Sequence, residues 1–166
     1  LMATAPLSHL LEVLLLEGIR WQNWASGVSL VGSMGGQITS FPAIRVSTTN
    51  GSEEPPNSGN FNMTLEVQVF GRVDPDNAST YTSVVNDHVT LAGNMQEYLT
   101  DGAEVRLALE ENAPIAGSDP LDVDYYTNTV EAYNIRLVGF DREIDSSEAL
   151  FEDKFYLEVY LMEAAD

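Results

Sequence analysis

NFNMTLEVQVFGR, residues 60–72, sets Met63, Leu65, Val67 and Val69 in alternation with Asn62, Thr64, Glu66 and Gln68. A period of two is the mark of a strand with one face buried and the other wetted. Upstream, FPAIRVST, residues 41–48, reads as a second strand rich in β-branched side chains. Between the two, TNGSEEPPNSGN, residues 49–60, is dense in turn formers and carries two adjacent prolines that cannot donate to a ladder. It is expected to be a loop or flexible hairpin tip, which makes the flanking strands antiparallel neighbours.

Working outward, GVSLVG at residues 27–32 predicts a short strand, and the amino-terminal region a helix. Leu7, Leu10, Leu11, Leu14 and Leu15 fall at i, i+3, i+4, i+7 and i+8, one stripe of an amphipathic helix, with Pro6 suited to its first turn and Gly18 to its end. Glu12 and Glu17 interrupt the leucine run, so neither a signal peptide nor a membrane span is expected. In DPDNAS, residues 74–79, Asp76, Asn77 or Ser79 is suited to cap a helix. Tyr81, Val84, Val85, His88, Ala92, Met95 and Leu99 then repeat at helical spacing and predict a long helix over 80–99. AEVRLALE, residues 103–110, returns to alternation through Val105, Leu107 and Leu109 and predicts a strand. A polar excursion follows over about 112–129, and the strand order across 103–133 stays open. YNIRLVGFDRE and KFYLEVYLME, residues 133–143 and 154–163, predict two antiparallel strands joined across DSSEAL. The expected fold is α+β: a mostly antiparallel mixed sheet with two main helices packed on it, in a single domain over 1–166.

Composition limits the function classes. The chain has 26 Asp plus Glu against 7 Lys plus Arg, a formal net charge of -19, which disfavours sequence-independent binding to nucleic acid or to anionic membranes. It has no cysteine, so disulfides, thiolate metal sites and cysteine nucleophiles are excluded. His88 lies on the apolar face of its predicted helix, where a core histidine is the simpler reading than a general base. GVSLVGSMGG, residues 27–36, fits neither a nucleophile elbow nor a phosphate-cradling loop. DPDN, residues 74–77, and DPLDVD, residues 119–124, could offer oxygen ligands to calcium, yet both work as turns and the first lacks the glycine and distal glutamate of an EF-hand loop. No catalytic, cofactor-binding or metal-ligating residue is nominated, no cofactor is expected, and an enzyme is not.

The order of elements carries more. A leading amphipathic helix is followed by the Phe41–Pro42 lead-in to a strand, the acidic loop, the alternating strand that ends at Phe70, a long helix and the closing KFYLEVYLME. This order resembles the tail terminator proteins of long-tailed bacteriophages, best over 41–72 and 139–163, while 103–133 is longer than the compact members need. The resemblance implies a mixed sheet with helices packed on it and a structural role in the virion, at the neck on top of the tail, after synthesis in the host cytoplasm. Family members form a ring, usually a homo-hexamer, that caps the tail tube protein and meets the head-side connector or stopper protein, with DNA passing through unbound. On that reading Glu53, Glu54, Pro55 and Pro56 are the candidate partner-binding residues, and carboxylates on the inner wall keep DNA from sticking over a Debye length of about 8 Å. The alternatives are another neck or tail tube protein of the same assembly, a calcium-dependent binding module using DPLDVD, or a small hydrolase with an unrecognised site.

Overall fold

A computed structural model describes residues 6–111 and 128–165. Helix α1 (Leu7–Arg20) is followed by strands β1 (Ser29–Gly32), β2 (Ala43–Glu53) and β3 (Asn60–Arg72), helices α2 (Tyr81–Thr100) and α3 (Gly102–Glu111), and strands β4 (Asn128–Asp145) and β5 (Leu150–Ala165). The five strands form one sheet in the order β1-β2-β3-β5-β4. The β1–β2 pair is parallel and the other three are antiparallel. The fold is therefore α+β with a mixed sheet, as the alternation predicts.

The stretch at 60–72 is the middle strand. Val67 stands between Val46 of β2 and Phe155 of β5, and Leu65 between Thr48 and Leu157. Met63, Leu65, Val67 and Val69 are all buried, and together with Ile44, Val46, Phe155, Leu157, Val159 and Leu161 they form one core with the helices. Positions between them, such as Glu66, Gln68, Lys154 and Glu158, are on the other face and remain partly exposed. One face of the sheet carries the helices and the other stays wet.

Helix α1 exceeds the single stripe read from its leucines. Val13, Leu16 and Ile19 are buried as well as Leu10, Leu11, Leu14 and Leu15, because α1 is pressed by β1 and β2 and also by α3. A helix apolar on most of its circumference is one that is covered on more than one side.

Several expectations are corrected. Residues 103–110 are not a strand but the body of α3. Val105 and Leu109, four apart, are buried, whereas the Leu107 that completed the alternation is exposed. Ala, Leu, Glu and Arg also favour helix, and the Asp101 side chain accepts a hydrogen bond from the Glu104 amide (3.4 Å), a weak cap at the helix start. The sheet thus carries three helices rather than two. Second, Gly18 does not end α1, which continues to Arg20. Its missing side chain lets α3 approach instead, since a β-carbon there would overlap the Ala108 methyl and lie 2.6 Å from the Tyr98 hydroxyl. Third, half of the loop expected over 49–60 is strand: β2 runs through Glu53 and β3 starts at Asn60, leaving Glu54–Gly59 as the tip.

At the start of α2, none of Asp76, Asn77 and Ser79 caps the helix, because a short 3-10 turn, Ala78–Thr80, intervenes. Asn77 serves that turn, its carbonyl accepting from the Thr80 amide. The last two strands form the expected hairpin, longer at both ends than read. The polar excursion lies almost wholly outside the described residues.

The close approach at Gly18 yields a sharp test. Gly18→Ala gains about 1 kcal/mol of helix propensity, while overpacking costs about 1–3 kcal/mol. The variant is expected to be less stable than the parent by urea unfolding, although an exposed Gly→Ala in a helix stabilises. A higher midpoint would mean that α1 and α3 do not touch there.

Candidate functional site

The end of β2 and the hairpin tip hold the four residues nominated for partner binding. Glu53 ends β2, and its carboxylate folds back over the tip, one oxygen accepting from the Asn57 amide (2.9 Å) and the other from the Gly59 amide (3.0 Å). Asn57 and Gly59 both have positive φ, 65° and 78°, conformations that asparagine and glycine tolerate best. Glu54, Pro55 and Pro56 are exposed, and Glu54 accepts only from the neighbouring Ser52 hydroxyl, at 3.2 Å. Within the four, Glu53 shapes the turn from inside, and Glu54 and the prolines form its outer surface.

A second cluster lies where α2 crosses β4 and β5. On the inner face of β5 the series Phe151, Asp153, Phe155, Leu157, Val159, Leu161 is interrupted by one carboxylate, and Asp153 is only 5% exposed. It is satisfied twice over: by Arg142 of β4, at 2.6 Å and 3.2 Å, and by Nε2 of His88 on α2, at 3.1 Å. His88 is itself 5% exposed. Its ring tilts against Phe151 and sits over Gly71, where a β-carbon would come within 2.8 Å of Nδ1. Burial disfavours the imidazolium and holds the His88 pKa below its usual 6.5, with Asp153 opposing the shift and Arg142 adding to it. His88 is thus a core histidine, as its apolar helix face suggests, with Nε2 on Asp153 and a buried Nδ1 that meets no hydrogen-bond partner among the described residues.

Beside this cluster opens a cleft of about 680 Å³, lined by Val89, Ala92 and Gln96 of α2 and by Phe140, Arg142 and Phe155 of the sheet. Reading residues 60–72 alone does not reveal it. The signal was present in the break that Asp153 makes in the alternation of β5, which requires a cationic or donor partner on an opposing element.

Both margins of the sheet meet a helix carboxylate. Glu12, 5% exposed on α1, accepts from the amide and hydroxyl of Ser33 (2.9 and 2.8 Å) and, through its other oxygen, from the Thr48 amide at 3.0 Å. Glu110 of α3 accepts from the Ala132 amide of β4 at 2.8 Å. The wet face holds an ionic network in which Lys154 approaches Glu143 (3.5 Å), Glu152 (3.7 Å) and Glu66 (3.9 Å), while Arg136 pairs with Glu158 at 2.9 Å.

The remaining cations are engaged as well: Arg20 with Glu17, Arg72 with Glu148 and Arg106 with Glu110, while Arg45 donates to the Gly36 carbonyl. All 7 Lys and Arg therefore sit on acceptors of their own chain. Among the described residues no three His, Asp or Glu side chains converge as a metal site, and DPLDVD lies outside them. None of the described helices is long and apolar enough to cross a membrane.

A scan against protein-family models finds no match to the chain, and no curated protein matches it significantly.

The His88 cluster makes stability depend on pH. The unfolded chain takes up a proton near the ordinary histidine pKa of about 6.5, and the folded chain only at lower pH. The contribution is complete above that value and is lost as pH falls towards the folded pKa. Between about pH 7 and about pH 5.5 the melting temperature of the parent should fall more steeply than that of His88→Gln, which retains a donor for Asp153 but does not titrate. Parallel profiles would show that His88 is as easily protonated in the fold as out of it.

Proposed function

We propose that this chain is a tail terminator, a structural virion protein whose ring caps the tail tube, ends its polymerisation and joins the tail to the head-side connector. The observation that carries the reading is the agreement between the fold that the resemblance implies and the sheet found here, with its helices packed on one face. The elements that bear the resemblance, the β2–β3 hairpin and the closing β5, lie side by side at the sheet centre.

The charge distribution supports it physically. With every cation already on an acceptor of its own chain, the surface offers DNA carboxylates and few uncommitted donors, as suits a channel through which DNA passes without sticking. The same charge sets copies against one another in dilute solution, so a ring is favoured by the tube end that collects them. A closed ring uses head-to-tail contacts, each burying on the order of 1,000 Å² or more.

In a virus lacking this chain, tails of uncontrolled length that do not join filled heads are expected by electron microscopy. Normal-length tails would favour the other neck or tube proteins of the same assembly. The hairpin tip gives a finer test, because its two glutamates have different work. Glu54→Lys should leave the fold intact and slow capping, more so at low salt, as rim charges do. Glu53→Lys should also loosen the tip, by about 1–3 kcal/mol for the two amides it strands. Full infectious yield from a folded variant with Glu54–Gly59 replaced by a short turn would show that the tip contacts nothing.

A further inference from the structure

The outer strand β4 is treated differently along its length. Up to Ile135 its edge is covered by α3: Glu110 takes the Ala132 amide, and Gly102 brings the helix start close to the Ile135 carbonyl. From Val138 to Asp145 the strand continues with every residue but Gly139 exposed. An edge strand turns half of its amides and carbonyls away from its neighbour. Here one of its amides, that of Arg142, is taken by the Asp141 carboxylate of the same strand, at 2.8 Å. The open half also carries apolar side chains in water: Phe140 is 71% exposed, Ile144 63% and Val138 48%. Phe140 ends the inner-face row Val46, Val67, Phe155 at the mouth of the cleft beside α2. That cleft continues along α2 into a groove lined by Glu97 and Asp101, the two sharing Gly93 and Gln96.

We propose that the Val138–Asp145 edge and this cleft bind an extended segment of a different protein, alternating cationic and apolar side chains, which adds a sixth strand to the sheet. Main-chain pairing supplies the attachment and the side chains on alternate faces supply the selection. Its apolar residues, on the helix face, cover Phe140 and the cleft wall, and its cationic ones, on the wet face, reach Asp141 and Glu143, which stand opposite Lys154 and Glu152. A second copy of this chain does not fit the site. Its net charge is -19 and each of its 7 Lys and Arg already sits on an internal acceptor, so it would bring like charge to an acidic rim. The site does not rest on the terminator reading, and each can fail without the other.

The test uses the full chain, isotope-labelled for amide NMR, and two synthetic peptides of about ten residues, one alternating lysine with valine and one alternating glutamate with valine. The lysine–valine peptide should bind saturably, with shifts centred on 138–145 and on the 89–101 side of α2. Its affinity should fall about ten-fold or more between about 50 mM and about 300 mM salt. The glutamate–valine peptide should not bind. Phe140→Asp, at a position already in water, should weaken binding at least ten-fold with circular dichroism and melting unchanged, and Asp141→Lys should do the same through charge. Shifts scattered over the acidic surface without saturation would overturn the proposal. So would equal binding by a lysine–serine peptide, or indifference to Phe140→Asp. A concentration-dependent dimer in sedimentation that Phe140→Asp abolishes would assign the edge to a second copy, and would overturn it as well.

Discussion

The carboxylate of Glu12 closes the structure at the point where a one-sided sheet is hardest to finish. β1 covers only the first part of β2, and the chain must then leave a parallel pair and return without wasting amides. Glu12 gathers the Ser33 amide at the end of β1 and the Thr48 amide of β2 into one buried acceptor, and it can do so because its helix is anchored by leucines on both sides of it. A buried carboxylate is tolerable only when its lone pairs are used. Here three donors use them. Glu110 does the same with a single bond at the opposite margin, so α1 and α3 fasten the two outer strands as well as covering the apolar face.

Charge is the second constraint. An excess of carboxylates this large leaves no cation idle, and the few that exist are spent inside the fold: Arg142 on Asp153, Lys154 among three glutamates, Arg136 on Glu158. Exposed pairs of this kind add little stability individually. Their effect is on the outside, where the molecule presents acceptors and repels anything of like sign, including itself at low salt. A partner that binds such a surface must supply the cations. The apolar end of β4 gives it a place to do so with direction and register, which charge alone cannot provide.

Most of the framework could be read from periodicity, and the misreadings share a cause. Alternation in β3 and β5 and helical spacing in α1 and α2 were long enough to separate a period of two from one of 3.6. In AEVRLALE they were not, since Val105, Leu107 and Leu109 satisfy alternation while Val105 and Leu109 satisfy a helix; Asp101, three residues before Glu104, was the cue that decided otherwise. Glycine ends helices in isolation, and only the presence of Ala108 and Tyr98 beside Gly18 gives it the other meaning. Of the nominated tip, the turn was legible from its prolines, asparagine and glycines. The inward role of Glu53 was not, because it depends on where the amides of Asn57 and Gly59 point once the turn has formed.

The sequence by itself determined the buried row and strand character of 60–72, the leucine stripe of α1, the absence of thiol chemistry and the acidic surface, since these follow from side-chain type and local spacing. Tertiary structure alone decided that β5 enters between β3 and β4 and that Asp153 meets His88 as well as Arg142. Each of those rests on a contact between segments far apart in the chain, β3 with β5 and His88 with Asp153. No local period encodes it, because its free energy depends on the partner surface being already in place.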